Sequence, residues 1–159
     1  MKTLLSCTIN AEAHTVLVDA RDTLLDLVRE GLGLTGSKEG CGNGNCGTCT
    51  VLLDGAAVNA CLVLALEVAG REVVTIEGVA RAGELHPIQS ALVETGGTQC
   101  GFCTPGIVLA AKALLDTNAD PSEQDIRQAI AGNLCRCTGY GKIVDAIATA
   151  AARLRETAT

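Results

Sequence analysis

Three cysteines within nine residues constrain this chain more than any other stretch. The segment EGCGNGNCGTCTV, residues 39–51, places Cys41, Cys46 and Cys49 at C-x4-C-x2-C. Cys61 follows after eleven intervening residues. The glycines at 42, 44 and 47 let the backbone take positive φ and pass close to a bound group. Asn43 and Asn45 also tolerate left-handed geometry. Such a loop can turn its backbone N–H groups inward, as an enclosed anionic group requires.

The chain has nine cysteines, and in an intracellular setting these read as metal ligands before disulfides. Eight form two sets of four: Cys41, Cys46, Cys49, Cys61, then Cys100, Cys103, Cys135, Cys137. C-x4-C-x2-C with a distant fourth cysteine is the spacing of plant-type [2Fe–2S] sites. Structural zinc comes as short C-x2–4-C knuckles, which fits the first set poorly. The second set pairs C-x2-C in QCGFCTPG, residues 99–106, with C-x-C in GNLCRCTGY, residues 132–140. On spacing alone, this set suits zinc or iron–sulfur. A helical hairpin can bring the two motifs together. Pro105 and Gly106 start a helix just after Cys103, and its positive end favours an anionic group. Cys7 is left over; it shares strand parity with Leu5 and Ile9 and reads as a small buried hydrophobe.

Apolar residues make up 48% of the 159 and aromatics only 1%, so the core must be aliphatic. Phe102 and Tyr140 both sit beside second-set cysteines. The net charge of −6, with no Lys/Arg run, argues against a nucleic-acid partner. No stretch approaches the roughly 18 apolar residues of a membrane span. The start, MKTLLSCTIN, alternates like a strand and lacks the apolar region of a signal peptide. The expected location is the cytoplasm.

Residues 3–9 and 14–18 alternate as a hairpin about Asn10-Ala11. Thr23, with Asp26 three positions on, caps a helix that Gly31 ends. Residues 50–53 and 56–59 form a hairpin about Asp54-Gly55. Residues 61–66 read as a short helix carrying Cys61, and 72–76 as a last strand. This is an α+β sheet wrapped on a helix, of ferredoxin β-grasp type. A linker covers 78–86, and helices follow. Pro87 opens one through Glu94, stopped by Gly96-Gly97. Thr104-Pro105 is the N-cap and N1 of a second, to Asp116. Ser122 caps a third, with Asp125 at N3, ending at Gly132-Asn133. Lys142–Arg155 is the fourth, with Ile143, Ala146, Ile147 and Ala150 on one face. Four helices in about 70 residues form a compact bundle. Two domains are expected, 1–78 and 79–159.

EGCGNGNCGTCTV, QCGFCTPG and GNLCRCTGY together resemble the small iron–sulfur subunit of the molybdenum hydroxylase (xanthine oxidase) family, over about residues 3–155. The resemblance implies a plant-ferredoxin-like β-grasp domain followed by a four-helix-bundle domain found only in that family. It implies that Cys41, Cys46, Cys49 and Cys61 hold an outer, flavin-side [2Fe–2S] cluster. It implies that Cys100, Cys103, Cys135 and Cys137 hold an inner one. Gln99 matches a glutamine that hydrogen-bonds molybdopterin, and Cys137 a cysteine lying against the pterin. The molybdopterin, as its cytosine dinucleotide, would belong to a large partner subunit. FAD would belong to a medium subunit, in a heterotrimer or its dimer. Some members carry these parts on one polypeptide; this chain stops at Thr159, which implies separate subunits. The implied role is electron transfer from the molybdenum centre to FAD or another acceptor. The cluster loop is closer to purine, N-heterocycle and aldehyde types than to the CO type.

A reading from another class is a non-redox binding module stabilised by two zinc ions; a third is a freely diffusing ferredoxin. His14 and His86 lack a ligand neighbour at useful spacing and read as surface or capping residues. Arg136 lies between Cys135 and Cys137 and suits either an offset to cluster charge or, slightly better, a salt bridge to a partner. Tyr140 reads as packing. GLGLTG, residues 31–36, has no preceding strand and no GK[ST], so it reads as a helix stop rather than a phosphate loop.

Overall fold

The computed structural model describes residues 2–157; the outermost positions of the two expected domains, 1 and 158–159, lie outside the described residues. Strands β1 (Lys2–Ile9) and β2 (Glu12–Asp19) form the expected hairpin. Its turn residues Asn10 and Ala11 both have positive φ, 53° and 67°. The Asn10 side chain holds this geometry: its Nδ2 donates to Thr75 Oγ1 and its Oδ1 accepts from Thr75 N, both at 2.9 Å. Alternation buries Leu5, Cys7 and Ile9 on one face of β1.

Thr23 caps helix α1 (Leu24–Asp26) as expected. Its Oγ1 accepts from Asp26 N, and the Asp26 carboxylate accepts from Thr23 N. The helix runs on into a wider π-helical turn, Leu27–Gly31. Its left-handed stop is Gly33, φ +70°, two residues beyond the expected Gly31. The π-helical turn itself includes Gly31 and carries the helix end past it, to a cap at Leu32.

Strands β3 (Thr50–Leu53) and β4 (Ala56–Asn59) pair about Asp54-Gly55, and β5 (Glu72–Val74) completes the sheet. The order is β2-β1-β5-β3-β4, with β5 parallel to β1 and antiparallel to β3. The expected helix at 61–66 is broken. A 3₁₀ turn, Ala60–Leu62, carries Cys61, and a second spans Ala65–Val68. Between them the chain is extended, because Val63 O accepts from Leu24 N and Leu64 bridges Thr23.

Helices α2 (Pro87–Thr95), α3 (Thr104–Thr117), α4 (Glu123–Ala129) and α5 (Gly141–Thr157) follow. Gly96, φ +71°, ends α2 where the sequence placed a stop. Ser122 and Asp125 cap α4 reciprocally, but the helix closes at Ile130, short of Gly132. Helix α3 starts one residue early: Cys103 is its N-cap, and Thr104 is its first residue. The predicted face Ile143, Ala146, Ile147, Ala150 of α5 is fully buried.

The molecule is mixed α+β, and its buried apolar residues fall into two clusters. One lies between the sheet and α1, the other among the later helices. Strand β3 is wholly buried because it faces both: Val51 and Leu53 belong to the first, Leu52 to the second. No helix among the described residues is long and apolar enough to cross a membrane.

Candidate metal centres

Residues 39–49 form an irregular loop between α1 and β3. Gly42, Gly44 and Gly47 all take positive φ, whereas Asn43 and Asn45 do not. The asparagines serve through their N–H groups instead. Asn43 N–H donates to the Cys41 sulfur, helped by the Cys46 side chain and the Cys46 and Asn45 N–H groups. Together they bring the Cys41 thiol down to about 7. A thiol in this setting is ready to be a thiolate ligand. Cys49 is the contrast: burial pushes it up to about 11, and Cys61 and Cys46 lie close enough to contribute.

The four sulfurs thus pair as Cys41 with Cys46 and Cys49 with Cys61. Asn59 Nδ2 donates to Gly44 O at 3.0 Å and pins the loop to the end of β4.

The second set shows the same arrangement. Cys103 and Cys135 interact through their side chains, as do Cys100 and Cys137. Burial raises Cys103 to about 12. Burial also acts to raise Cys135, but hydrogen bonds from Thr138 (side chain and backbone), the Cys137 backbone and the Cys103 side chain hold it low. Cys100 and Cys137 are exposed, beside exposed Gln99. Arg136 is exposed as well.

Among the described residues no group of three or more His, Cys, Asp or Glu side chains is gathered closely enough to hold a metal ion as they stand. Sulfurs gathered two and two are what a dinuclear unit needs, with a pair of thiolates on each iron. Both sets therefore fit [2Fe–2S] in donor chemistry and in pairing.

The two loops are bonded to each other. Leu134 N donates to Cys46 O at 2.9 Å. Asn133, only 5% exposed, donates from Nδ2 to Gly47 O at 2.8 Å and to Thr50 Oγ1 at 3.1 Å. A Cβ at Gly47 would lie 2.3 Å from Gly132 O, and one at Gly106 2.3 Å from Gly47 O. Only glycine permits this approach of three backbones.

Sequence reasoning took Asn133 only as a helix stop and did not single out Thr48 or Thr138. Thr48 Oγ1 lies 3.2 Å from Cys46 Sγ, and Thr138 Oγ1 lies 3.1 Å from Cys135 Sγ. Their one available signal was adjacency to the cysteines. Tyr140 does more than pack: its hydroxyl accepts from Cys135 N at 2.8 Å and donates to Asn133 O at 3.2 Å. His86 caps α2, as expected, accepting at Nδ1 from Ile88 N.

Residues 7–74 match the family described as 2Fe-2S iron-sulfur cluster binding domain, and residues 75–148 the [2Fe-2S] binding domain. The chain is 46% identical over 152 residues to the nicotinate dehydrogenase small FeS subunit of Eubacterium barkeri, covering 96% of this chain and 97% of that one. The chain belongs to the family of small iron–sulfur subunits of molybdenum hydroxylases. It is also 51% identical over 148 residues to the aldehyde oxidoreductase of Megalodesulfovibrio gigas, covering 91% of this chain but spanning only 16% of that protein. A solved structure, the quinoline 2-oxidoreductase of Pseudomonas putida 86, superposes with a TM-score of 0.94 at 41% identity, covering 98% of this chain and 97% of that one. As a member of this family the chain carries two domains of the [2Fe–2S]-binding kind. The zinc-module reading is not favoured, because both halves match iron–sulfur families.

Proposed function

We propose that this chain is the electron-transfer subunit of a molybdenum-containing hydroxylase or dehydrogenase. It passes electrons from the molybdopterin centre of a large partner, through two [2Fe–2S] clusters, to FAD or another acceptor. The observation that carries this is the Leu134 N–H to Cys46 C=O bond, which joins two paired-sulfur loops. A [2Fe–2S] cluster supplies one-electron redox chemistry when bound. The chain's own residues do the rest. Cys41, Cys46, Cys49 and Cys61 hold the outer, flavin-side group; Cys100, Cys103, Cys135 and Cys137 hold the inner one. Inward N–H groups from Asn43, Asn45 and Cys46 stabilise negative charge on sulfur. Leu52, Ile107 and Val108 are buried in one apolar cluster, where strand β3 meets helix α3.

Residues 1–78 would be the plant-ferredoxin-like β-grasp unit and 79–159 the four-helix-bundle unit. Support comes from the two apolar clusters and from the sheet order. The exposure of Cys100, Cys137 and Gln99 suits contact with a pterin held by the large subunit. The cytosine dinucleotide form of that pterin, a medium FAD subunit, a heterotrimer or its dimer, and a cytoplasmic location complete the proposal. The substrate class is an N-heterocycle, aldehyde or purine. Nicotinate, quinoline and aldehyde appear in the names of the similar proteins above.

Two variants test the order in the assembled enzyme. Cys137→Ala should abolish turnover with any acceptor. Cys46→Ala should leave substrate reduction of molybdenum intact and block reduction of flavin. Normal flavin reduction by substrate in either variant would refute the relay.

A further inference from the structure

Thr138 sits inside a closed set of hydrogen bonds around Cys135. Tyr140 N donates to Thr138 Oγ1 at 3.2 Å, and Thr138 Oγ1 lies 3.1 Å from Cys135 Sγ. Tyr140 holds φ +69°, a left-handed geometry rare outside glycine. Its hydroxyl, bonded to Cys135 N and Asn133 O, fastens it there. The Thr138 oxygen therefore accepts from a fixed backbone N–H, and its single proton is left for sulfur. An iron-bound thiolate carries no proton, so the hydroxyl must be the donor. Thr48 is placed differently. Its Oγ1 is 3.2 Å from Cys46 Sγ but also 3.1 Å from Lys38 O, and both compete for one proton.

We propose that Thr138 is a positioning residue whose hydroxyl donates to the Cys135 ligand sulfur and raises the reduction potential of the second-set cluster. This rests on the two-cluster reading above. One-electron reduction takes the diferric unit to the mixed Fe(II)–Fe(III) state; no bond forms or breaks, and one negative charge is added. That charge spreads onto the thiolates and strengthens any hydrogen bond they accept. The donor therefore favours the reduced form. Thr48, its proton shared with Lys38 O, exerts a smaller effect on the first set.

The test is electron paramagnetic resonance at controlled potential, with dithionite as reductant, on the protein purified with its partner chains. The second-set signal is the one that survives in Cys46→Ala. In Thr138→Val its reduction equilibrium should shift about tenfold toward the oxidised form, which is about 59 mV for one electron. Thr138→Ser should restore it, and the first-set signal should stay in place. Thr138→Ala removes the hydroxyl with less bulk and should match Thr138→Val if the valine disturbs assembly. An unchanged midpoint at full iron content in either hydroxyl-free variant overturns the proposal. Loss of iron from both, with iron kept in Thr138→Ser, makes the hydroxyl structural and overturns it too. Missing signals in the unmodified protein would instead overturn the two-cluster reading.

Discussion

Leu134 N–H donates to the carbonyl of Cys46 at 2.9 Å, so a cysteine of the first set is bonded to the chain neighbour of a cysteine of the second. One residue further, Cys135 interacts with Cys103. The two loops are thereby held in one register, rather than only packed side by side. The next hydrogen bond along, from Asn133, is the one that can be removed by mutation.

Asn133→Ala deletes both side-chain bonds, to Gly47 O and Thr50 Oγ1, at a site that is almost fully buried. The expected loss is about 1–3 kcal/mol of unfolding free energy. Urea unfolding should show a lower midpoint with an unchanged slope. Electron exchange between the two clusters should also slow.

Gly106 and Gly139 make a matched pair. A Cβ at Gly106 meets the Gly47 carbonyl at 2.3 Å, and neither backbone can yield easily. At Gly139, φ is +66° but the space is open. Gly106→Ala should cost about 1–3 kcal/mol through overpacking and lower the iron content. Gly139→Ala carries only the strain of a left-handed alanine, about 1–2 kcal/mol, and should keep its iron. Iron analysis beside thermal unfolding separates the two.

His86 predicts a pH effect remote from the cysteines. Its Nδ1 must stay unprotonated to accept from Ile88 N. Burial, then Lys112, lower its pKa from 6.5; Asp116 opposes this and Arg81 adds to it. A histidine with a folded-state pKa below its unfolded value stabilises most above pH 6.5 and loses that stability as pH falls toward the lower value. Stability measured by denaturant should therefore drop below pH 6.5. His86→Asn keeps a capping oxygen that does not titrate, and its profile should be flatter there.

The grouping of the cysteines was legible where the spacing within a motif is short, because a few covalently joined residues admit few geometries whatever the fold. Caps were legible for the same reason: Thr23 with Asp26 and Ser122 with Asp125 satisfy each other within one turn. Gly96 and Asp54-Gly55 follow from local φ alone. What escaped depends on distant backbone. The break at 63–64 exists because Thr23 and Leu24 claim those groups across the fold. Gly33 displaced Gly31 because a π-helical turn lengthened the helix end. Helix α3 began at Thr104 because Cys103 already takes the cap position with helical backbone. Gly106 read as a helix-starting residue, yet its larger constraint is a carbonyl from residue 47. Asn133 looked like a helix stop, and only the folded chain brings it to Thr50.

The most direct measurement is iron content together with paramagnetic resonance of the intact assembly after dithionite reduction. Eight cysteines holding two dinuclear clusters, as proposed above, predict about four irons per chain and two distinct rhombic signals. Fewer than about four irons per chain with no rhombic signal, or stoichiometric zinc in their place, would contradict the account.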